Sequence, residues 1–355
     1  MPMSKHLSPV KHKNIPIFIP HMGCPHRCVF CDQRAISGHG DFDVDRMEQE
    51  IKTAVGTLTD GVQAEIAFFG GSFTAIDRGL MLHLLDIAQR YVDAGAVSGI
   101  RFSTRPDAVG EDVLDALSSY TITAIELGLQ SMDDAVLHLA ARGCTAETAR
   151  EACRRVVEYG YPLVGQMMGG LPGATEQSER QTAREICALG ATAARVYPVV
   201  VFDNTPLSDM MRRGDYVPLD NEQAVLRCAR VLDVLEEQGV ACLRVGLCAS
   251  EVLQSSRVLG GANHPALGEL VYGALWYARM CTVLERCPQA KGKSVVIEVP
   301  RGKLSQAVGQ HRCNVSALKA RFALRDVRVC ESPTVGVHDR STVPLLRIQD
   351  NEGEC

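Results

Sequence analysis

No apolar run in the 355 residues reaches the roughly 18 that a membrane-spanning helix needs. The opening stretch, MPMSKHLSPVKHKN, holds no apolar core of the secretory-signal kind. Excess positive charge is also missing. The 37 Lys and Arg against 42 Asp and Glu leave a net charge of −5. That argues against a generally basic nucleic-acid binder and leaves a local basic patch open. No solenoid-type repeat runs through the chain. The reading is a soluble, cytoplasmic protein with no membrane partner. Its 46% hydrophobic content suffices for one large domain plus a smaller one.

Cysteine, by contrast, is plentiful, with 14 residues. In a reducing cytosol these suggest metal ligands or buried thiols rather than disulfides. Eleven are scattered and read mostly as small hydrophobes. Cys242, Cys248 and Cys281 form an alternative second metal site. Cys24, Cys28 and Cys31 are different, because they crowd into one loop, GCPHRCVFC.

That loop opens a regular alternation of strands and helices. Strands are expected at Ile15–Pro20, Ala64–Phe69, Gly99–Ser103, Ala124–Leu129, Leu163–Met168 and Ala194–Val201. Helices are expected at 43–58, 78–92, 111–119, 133–141, 146–159 and 176–189. Strands apolar on both faces with helices between them predict a parallel sheet covered by helices. Six β–α units fall short of a complete eight-fold barrel, so the fold class is α/β with a partial (β/α)6 TIM-like barrel. Beyond residue 204 the pattern becomes a helical extension: a helix at 219–238, a strand at 243–247 and a long helix at 265–286. A polar break at 289–292 precedes a strand (294–299), a helical segment (304–323) and a strand (327–329). The expected division is a core with its extension over 14–285 and a small C-terminal α/β module over 290–350.

The cysteines fall as C-x3-C-x2-C just after the first strand, where β/α folds place their chemistry. Thiolates suit iron–sulfur clusters or zinc. A protein-closed zinc site needs a fourth ligand, for which His21 and His26 are near. Unrelated buried thiols are the plain alternative. Three thiolates on a four-iron cube leave one iron without a protein ligand. An open position is what a catalytic metal needs.

The loop resembles the cluster-binding loop of the radical S-adenosylmethionine (radical SAM) superfamily. The stretches FFGGSFTAID, STRPD, ELGLQSMDDAVL, GLPGAT and RVYPVVVFDNTPL, in that order, resemble its Elongator-catalytic-subunit-like branch. The resemblance implies a [4Fe-4S] cluster on Cys24, Cys28 and Cys31 whose open iron binds S-adenosylmethionine. Reductive cleavage then yields a 5′-deoxyadenosyl radical, with an external electron donor such as flavodoxin or ferredoxin. It also implies cofactor contacts. Phe30 lies near the adenine, or else packs the loop. Gly70, Gly71 and Ser72 approach the methionine amino group, though a glycine pair after a strand also makes a plain tight turn. Ser103 contacts the methionine end. Gln130 contacts the ribose, and Arg142 pairs with the methionine carboxylate, unless it is a surface arginine. Gln166 and Met168 reach ribose and adenine, with core filling the alternative for Met168. Glu126, buried on a strand, needs a hydrogen-bond partner. Arg195 stands behind the site, in an apolar run.

The cysteine spacing departs from the Elongator subunit proper, whose first interval is longer, and no acetyl-CoA signature is visible. The substrate is therefore unidentified, with tRNA as the candidate. A small molecule or tetrapyrrole, or a non-catalytic iron–sulfur or zinc protein, is the alternative. In the C-terminal module, VGQHRCNV faintly resembles the Gly-rich turn of KH RNA-binding modules, with Arg312 in place of the second glycine. Lys303, Arg312, Lys319, Arg321, Arg325 and Arg328 make the region locally basic. RNA contact is one reading, and a solvated face is the other.

Overall fold

The computed structural model describes residues 11–19, 24, 27–32, 42–59, 61–247, 257–333, 335 and 343–349. Strand β1 (Lys11–Ile19) leads an alternating series: α1 (Val44–Gly56), β2 (Val62–Gly70), α2 (Arg78–Asp93), β3 (Gly99–Thr104), α3 (Glu111–Leu117) and β4 (Ile122–Gln130). It continues through α4 (Asp134–Leu139), α5 (Ala146–Glu158), β5 (Leu163–Gly169), α6 (Glu176–Ala188) and β6 (Ala193–Pro198). Next come β7 (Val200–Phe202), α7 (Pro206–Arg213), α8 (Asn221–Glu237), β8 (Ala241–Val245), β9 (Val258–Gly261) and α9 (Leu267–Glu285). The chain closes with β10 (Ser294–Val299), α10 (Leu304–Val308), α11 (Cys313–Arg321), β11 (Asp326–Glu331) and β12 (Leu345–Gln349). Short polar residues set the helix starts. Asp43, Asp77, Asp133 and Thr145 cap α1, α2, α4 and α5, each accepting main-chain N–H groups of the first turn. Asp220 and Gln223 form a capping box on α8.

The main sheet runs β1-β2-β3-β4-β5-β6-β8, and the pairs from β1 to β5 are parallel. This is the expected partial β/α barrel class, with a small α/β module after it. Among the described residues no helix is long and apolar enough to cross a membrane.

The chain divides into two compact units. The first comprises 1–167, 188–193 and 202–209; the second comprises 168–187, 194–201 and 210–355. In the first, alternation along the strands makes two unlike faces. Ile66, Phe68, Ile100, Phe102, Ile125 and Leu127 are fully buried on one. Phe68 stacks on Phe73 at 4.6 Å between ring centroids, and Phe73 tilts onto Phe102 at 5.1 Å. The register puts Glu65, Arg101, Glu126 and Gln166 on the other face.

In the second unit, β10 lies between β11, to which it is parallel, and β12, to which it is antiparallel. Trp276, Met280, Val295, Ile297, Val299, Leu318 and Val327 form the core there. Trp276 is fully buried and its indole N–H reaches Gln306 Oε1 at 3.3 Å.

The structure corrects several expected elements. The strand expected over 194–201 is two strands. Pro198 has no N–H to continue a ladder, and Val199 turns its N–H to the Gly169 carbonyl at 2.8 Å. Strand β7 then pairs with β9 in a separate sheet. The helix expected over 304–323 breaks after Val308. Gly309, His311 and Arg312 all take positive φ, at 74°, 51° and 61°. The main sheet has a seventh strand, β8, beside the six that were expected. Gly246 N–H bonds the Val196 carbonyl at 2.9 Å just beyond it. Helix α7 was not anticipated, although Thr205 caps it and Pro206 opens it, a readable start signal. Strand β9 was also missed; half of its four residues are glycine.

Candidate active site

The three cysteines lie in the loop after β1. Cys28 is buried, while Cys24 and Cys31 are half-buried. Two main-chain bonds dock the loop. Val29 N–H donates to the Ala140 carbonyl at 3.1 Å, and Leu207 N–H donates to the Val29 carbonyl at 2.9 Å. Cys31 N–H closes a turn onto the Cys28 carbonyl at 3.1 Å. Phe30, between these anchors, is half-buried. Among the described residues, no three His, Cys, Asp or Glu side chains group closely enough to hold a single metal ion. His21, His26 and Cys248 lie outside the described residues.

At the end of β2, Gly70 has φ 115°, and a Cβ there would overlap the Ile19 carbonyl oxygen. Only glycine fits. Gly71 donates its N–H to that same oxygen at 3.3 Å. Ser72 is fully buried. Its hydroxyl bonds Thr104 Oγ1 at 2.8 Å and accepts the Arg105 N–H at 3.2 Å. Ser72 thus braces the ends of β2 and β3. Thr74 completes the brace, bonding Thr104 Oγ1 at 2.6 Å.

Ser103, on β3, is half-buried and stands in register with Glu126 of β4. Glu126 is fully buried and accepts from Gln166 Nε2 at 2.9 Å. Its other oxygen lies 3.0 Å from Arg101 Nε. Arg101 Nη1 in turn meets Glu65 Oε2 at 3.0 Å, and His12 Nε2 reaches that oxygen at 2.7 Å. Buried charge persists only where it is paired, and each of these groups is.

Strand β4 ends irregularly. The register shifts between Gly128 and Gln130, and Gln130 takes φ 67°. Its Oε1 is buried without a protein partner. Arg142 is 5% exposed, which rules out the surface alternative. Its Nη2 donates to the Gly128 carbonyl at 2.6 Å and its Nη1 to Cys28 Sγ at 3.6 Å, while Nε is buried without a partner. A Cβ on Gly128 would press on both Gln130 Nε2 and Arg142 Nη2, at 3.0 and 3.2 Å. Glycine lets the three groups meet.

Met168 lies half-buried near the end of β5, in the second unit. The glycine-rich turn after it is pinned within that unit. Gly170 N–H donates to Glu179 Oε1 at 2.6 Å, and the Tyr216 hydroxyl donates to the Gly170 carbonyl at 2.6 Å. Arg227 grips Glu179 with two bonds, at 2.8 and 2.5 Å. Arg195 is buried in the same unit.

Sequence reasoning missed Arg105. It is 3% exposed and chelates Asp107 through Nε and Nη2 at 2.8 and 3.0 Å. Its Nη2 also donates to the Arg142 carbonyl at 3.0 Å, and Nη1 is buried without a partner. The available signal was an Arg-Pro-Asp turn at a strand end, where a fork-shaped cation meets a carboxylate. Burial alone would raise the Asp107 pKa, but the hydrogen bond and charge of Arg105 outweigh it and hold the carboxyl below its ordinary value. Burial pushes the Cys24 thiol up, against the opposing charges of Arg105 and Arg142. Burial does the same to Cys144, which borders a cleft of about 770 Å³ with Arg142, His138 and Asp134.

The site therefore offers three thiols on one loop, with two unpaired buried donors (Arg105 Nη1 and Arg142 Nε) and one unpaired acceptor (Gln130 Oε1). Such atoms are costly unless a ligand satisfies them. The donor set suits a thiolate-bound cluster beside a ligand carrying both an anionic group and a hydroxyl.

The chain matches known protein families. The profile of the radical SAM superfamily matches residues 18–186, and that of the radical SAM C-terminal domain matches 191–276. An uncharacterized protein of Methanocaldococcus jannaschii is 29% identical over 249 residues, 67% of this chain and 76% of that protein. The tRNA uridine(34) acetyltransferase of the same organism is 25% identical over 295 residues, 70% of this chain. The chain spans about half of that enzyme, 53%. Among solved structures, Methanocaldococcus infernus Elp3 with an N-terminal deletion superposes with a TM-score of 0.61 at 20% identity. The match covers 82% of this chain and 67% of that one, and it shows the shared fold.

Proposed function

The chain belongs to the radical SAM superfamily, and we propose that it holds a [4Fe-4S] cluster on Cys24, Cys28 and Cys31, binds S-adenosylmethionine beside it, and acts on RNA of the tRNA class. The observation that carries this reading is the buried Arg142 in contact with Cys28, together with the unpaired buried atoms on Arg142 and on its neighbours Gln130 and Arg105. When bound, cluster and cofactor together supply reductive cleavage of a carbon–sulfur bond. The chain's own residues bind and orient. Arg142 offers its guanidinium to a carboxylate, and Gln130 Oε1 accepts from a hydroxyl. Gly70 and Gly71 keep the strand end clear of side chains, and Ser72 holds that end to β3. We further assign cofactor contacts to Ser103 on β3, Gln166 on β5 and Phe30 in the cysteine loop.

The RNA reading rests on charge and on the relatives. Between residues 290 and 333 nine Lys and Arg face three Asp and Glu, in a chain whose net charge is −5. Arg301, Arg312, Lys319 and Arg325 are exposed there, as a phosphate-contacting surface requires. We assign this contact to a module over 290–350, with catalysis in 14–285. One M. jannaschii relative, a tRNA uridine(34) acetyltransferase, supports the same substrate class.

The test is anaerobic reconstitution with iron and sulfide, then dithionite and S-adenosylmethionine, with 5′-deoxyadenosine read by mass spectrometry. Product is expected, rising with bulk tRNA, and absent in Cys28→Ala along with the cluster absorbance. Arg312→Glu should weaken tRNA binding in a salt-dependent way. Zinc in place of iron would overturn the reading. A cluster that cleaves the cofactor with no response to tRNA, and no RNA affinity, would overturn the substrate.

A further inference from the structure

Two guanidinium groups lie buried beside the cysteine loop, and only one of them was anticipated. Arg142 touches Cys28 directly, through Nη1 at 3.6 Å. Arg105 instead holds Arg142 in place. Its Nη2 takes the Arg142 carbonyl at 3.0 Å, its main-chain N–H takes Ser72 Oγ at 3.2 Å, and Asp107 fixes its plane with two bonds. The side chain of Arg105 is 4% exposed and that of Asp107 is 30% exposed. One cation is thus fully withdrawn from water, while its counter-charge remains partly solvated. A half-screened carboxylate offsets a buried guanidinium only in part. The field left over falls on the thiol loop. Arg142 contacts that loop at Cys28, and Arg105 holds Arg142 by its main-chain carbonyl.

We propose that Arg105 is a positioning residue for Arg142, and that the Arg105–Asp107 pair sets the reduction potential of the cluster held by Cys24, Cys28 and Cys31. This rests on the cluster reading above. Accepting one electron makes a cluster more negative. A buried positive charge nearby favours the reduced form, and a negative charge opposes it. Removing Arg105 should therefore lower the potential, and removing the charge of Asp107 should raise it. The opposite signs separate this role from loss of structure, since a loosened loop would not move the two variants in opposite directions. Contact between Arg142 and Cys28 adds an N–H···S bond that favours the more negative, reduced thiolate in the same sense as the charges.

The experiment is an anaerobic titration of the reconstituted protein with dithionite and redox mediators, following the reduced cluster by electron paramagnetic resonance. The variants are Arg105→Met, Arg105→Lys and Asp107→Asn in the full chain. Arg105→Met is expected to shift the one-electron equilibrium at least tenfold toward the oxidised form, about 59 mV more negative. Asp107→Asn should shift it the other way. Arg105→Lys should recover part of the Met shift, because it restores charge without the fork that holds the Arg142 carbonyl. Unmoved potentials, or shifts of one sign in both Met and Asn variants, would overturn the inference. If Arg105→Met does not fold, Asp107→Asn alone decides, since its shift must be positive. Failure of the wild-type chain to assemble a cluster would instead bring down the functional reading, and this inference with it.

Discussion

Glu126 and Arg101 meet inside the sheet at 3.0 Å, with 0% and 8% of their side chains exposed. Arg101 also pairs with Glu65, so one cation serves two buried carboxylates. Arg101→Met leaves Glu126 with the neutral Gln166 and Glu65 with His12. It should destabilise the protein by about 3–5 kcal/mol. Urea denaturation checks this, and a midpoint within error of wild type would mean that the row of charges is not structural.

Gly70 and Gly56 should respond in opposite ways to alanine. Gly70→Ala forces a side chain into φ 115° and onto the Ile19 carbonyl. A loss of about 1–3 kcal/mol or more is expected. Gly56 ends α1 with nothing near its Cβ position. Gly56→Ala should stabilise by about 0.5–1 kcal/mol. Thermal melts of the two variants side by side decide the matter.

Thiol reactivity should follow burial. Cys153 is fully buried and its pKa is pushed up to about 12, so its thiolate fraction at pH 8 is about one in ten thousand. Cys313 is exposed. Brief alkylation followed by peptide mapping should label Cys313 in the native protein and Cys153 only after unfolding. Early labelling of Cys153 would contradict its position in the core.

The Asp107 carboxyl lies below its ordinary value because of Arg105, despite burial. The sign follows from linkage. A carboxyl with a lowered folded pKa contributes stability that is present above its unfolded value of about 3.9. That contribution is lost as pH falls through the folded value. Wild-type stability should therefore drop more steeply below about pH 4 than that of Asp107→Asn. Denaturation at stepped pH measures the difference, and parallel acid limbs would count against the pair.

Local chemistry made much of this molecule readable in advance. Strand and helix periods are properties of neighbouring residues, so the β–α alternation, the helices beginning near Asp43 and Asp133 and the strand Ser294–Val299 followed from sequence. The C-x3-C-x2-C loop was legible because three thiols so close in sequence need little help from the fold to converge. The breaks were harder. Pro198 and the Gly309 turn are visible signals, yet the partners that make them breaks (Gly169 for Val199, and the core under α11) are remote in sequence.

What the sequence determined by itself is the β–α alternation of the core and the thiol loop, because each depends on spacing within one segment. Only the tertiary structure decided which polar groups are paired. Ser72 became a brace through Thr104, Arg142 became a buried neighbour of Cys28, and Arg105 became its support across 37 residues. The physical reason is that the cost of burying a charge depends on what stands within about 3 Å of it. For a side chain at a strand end, those neighbours come from other strands.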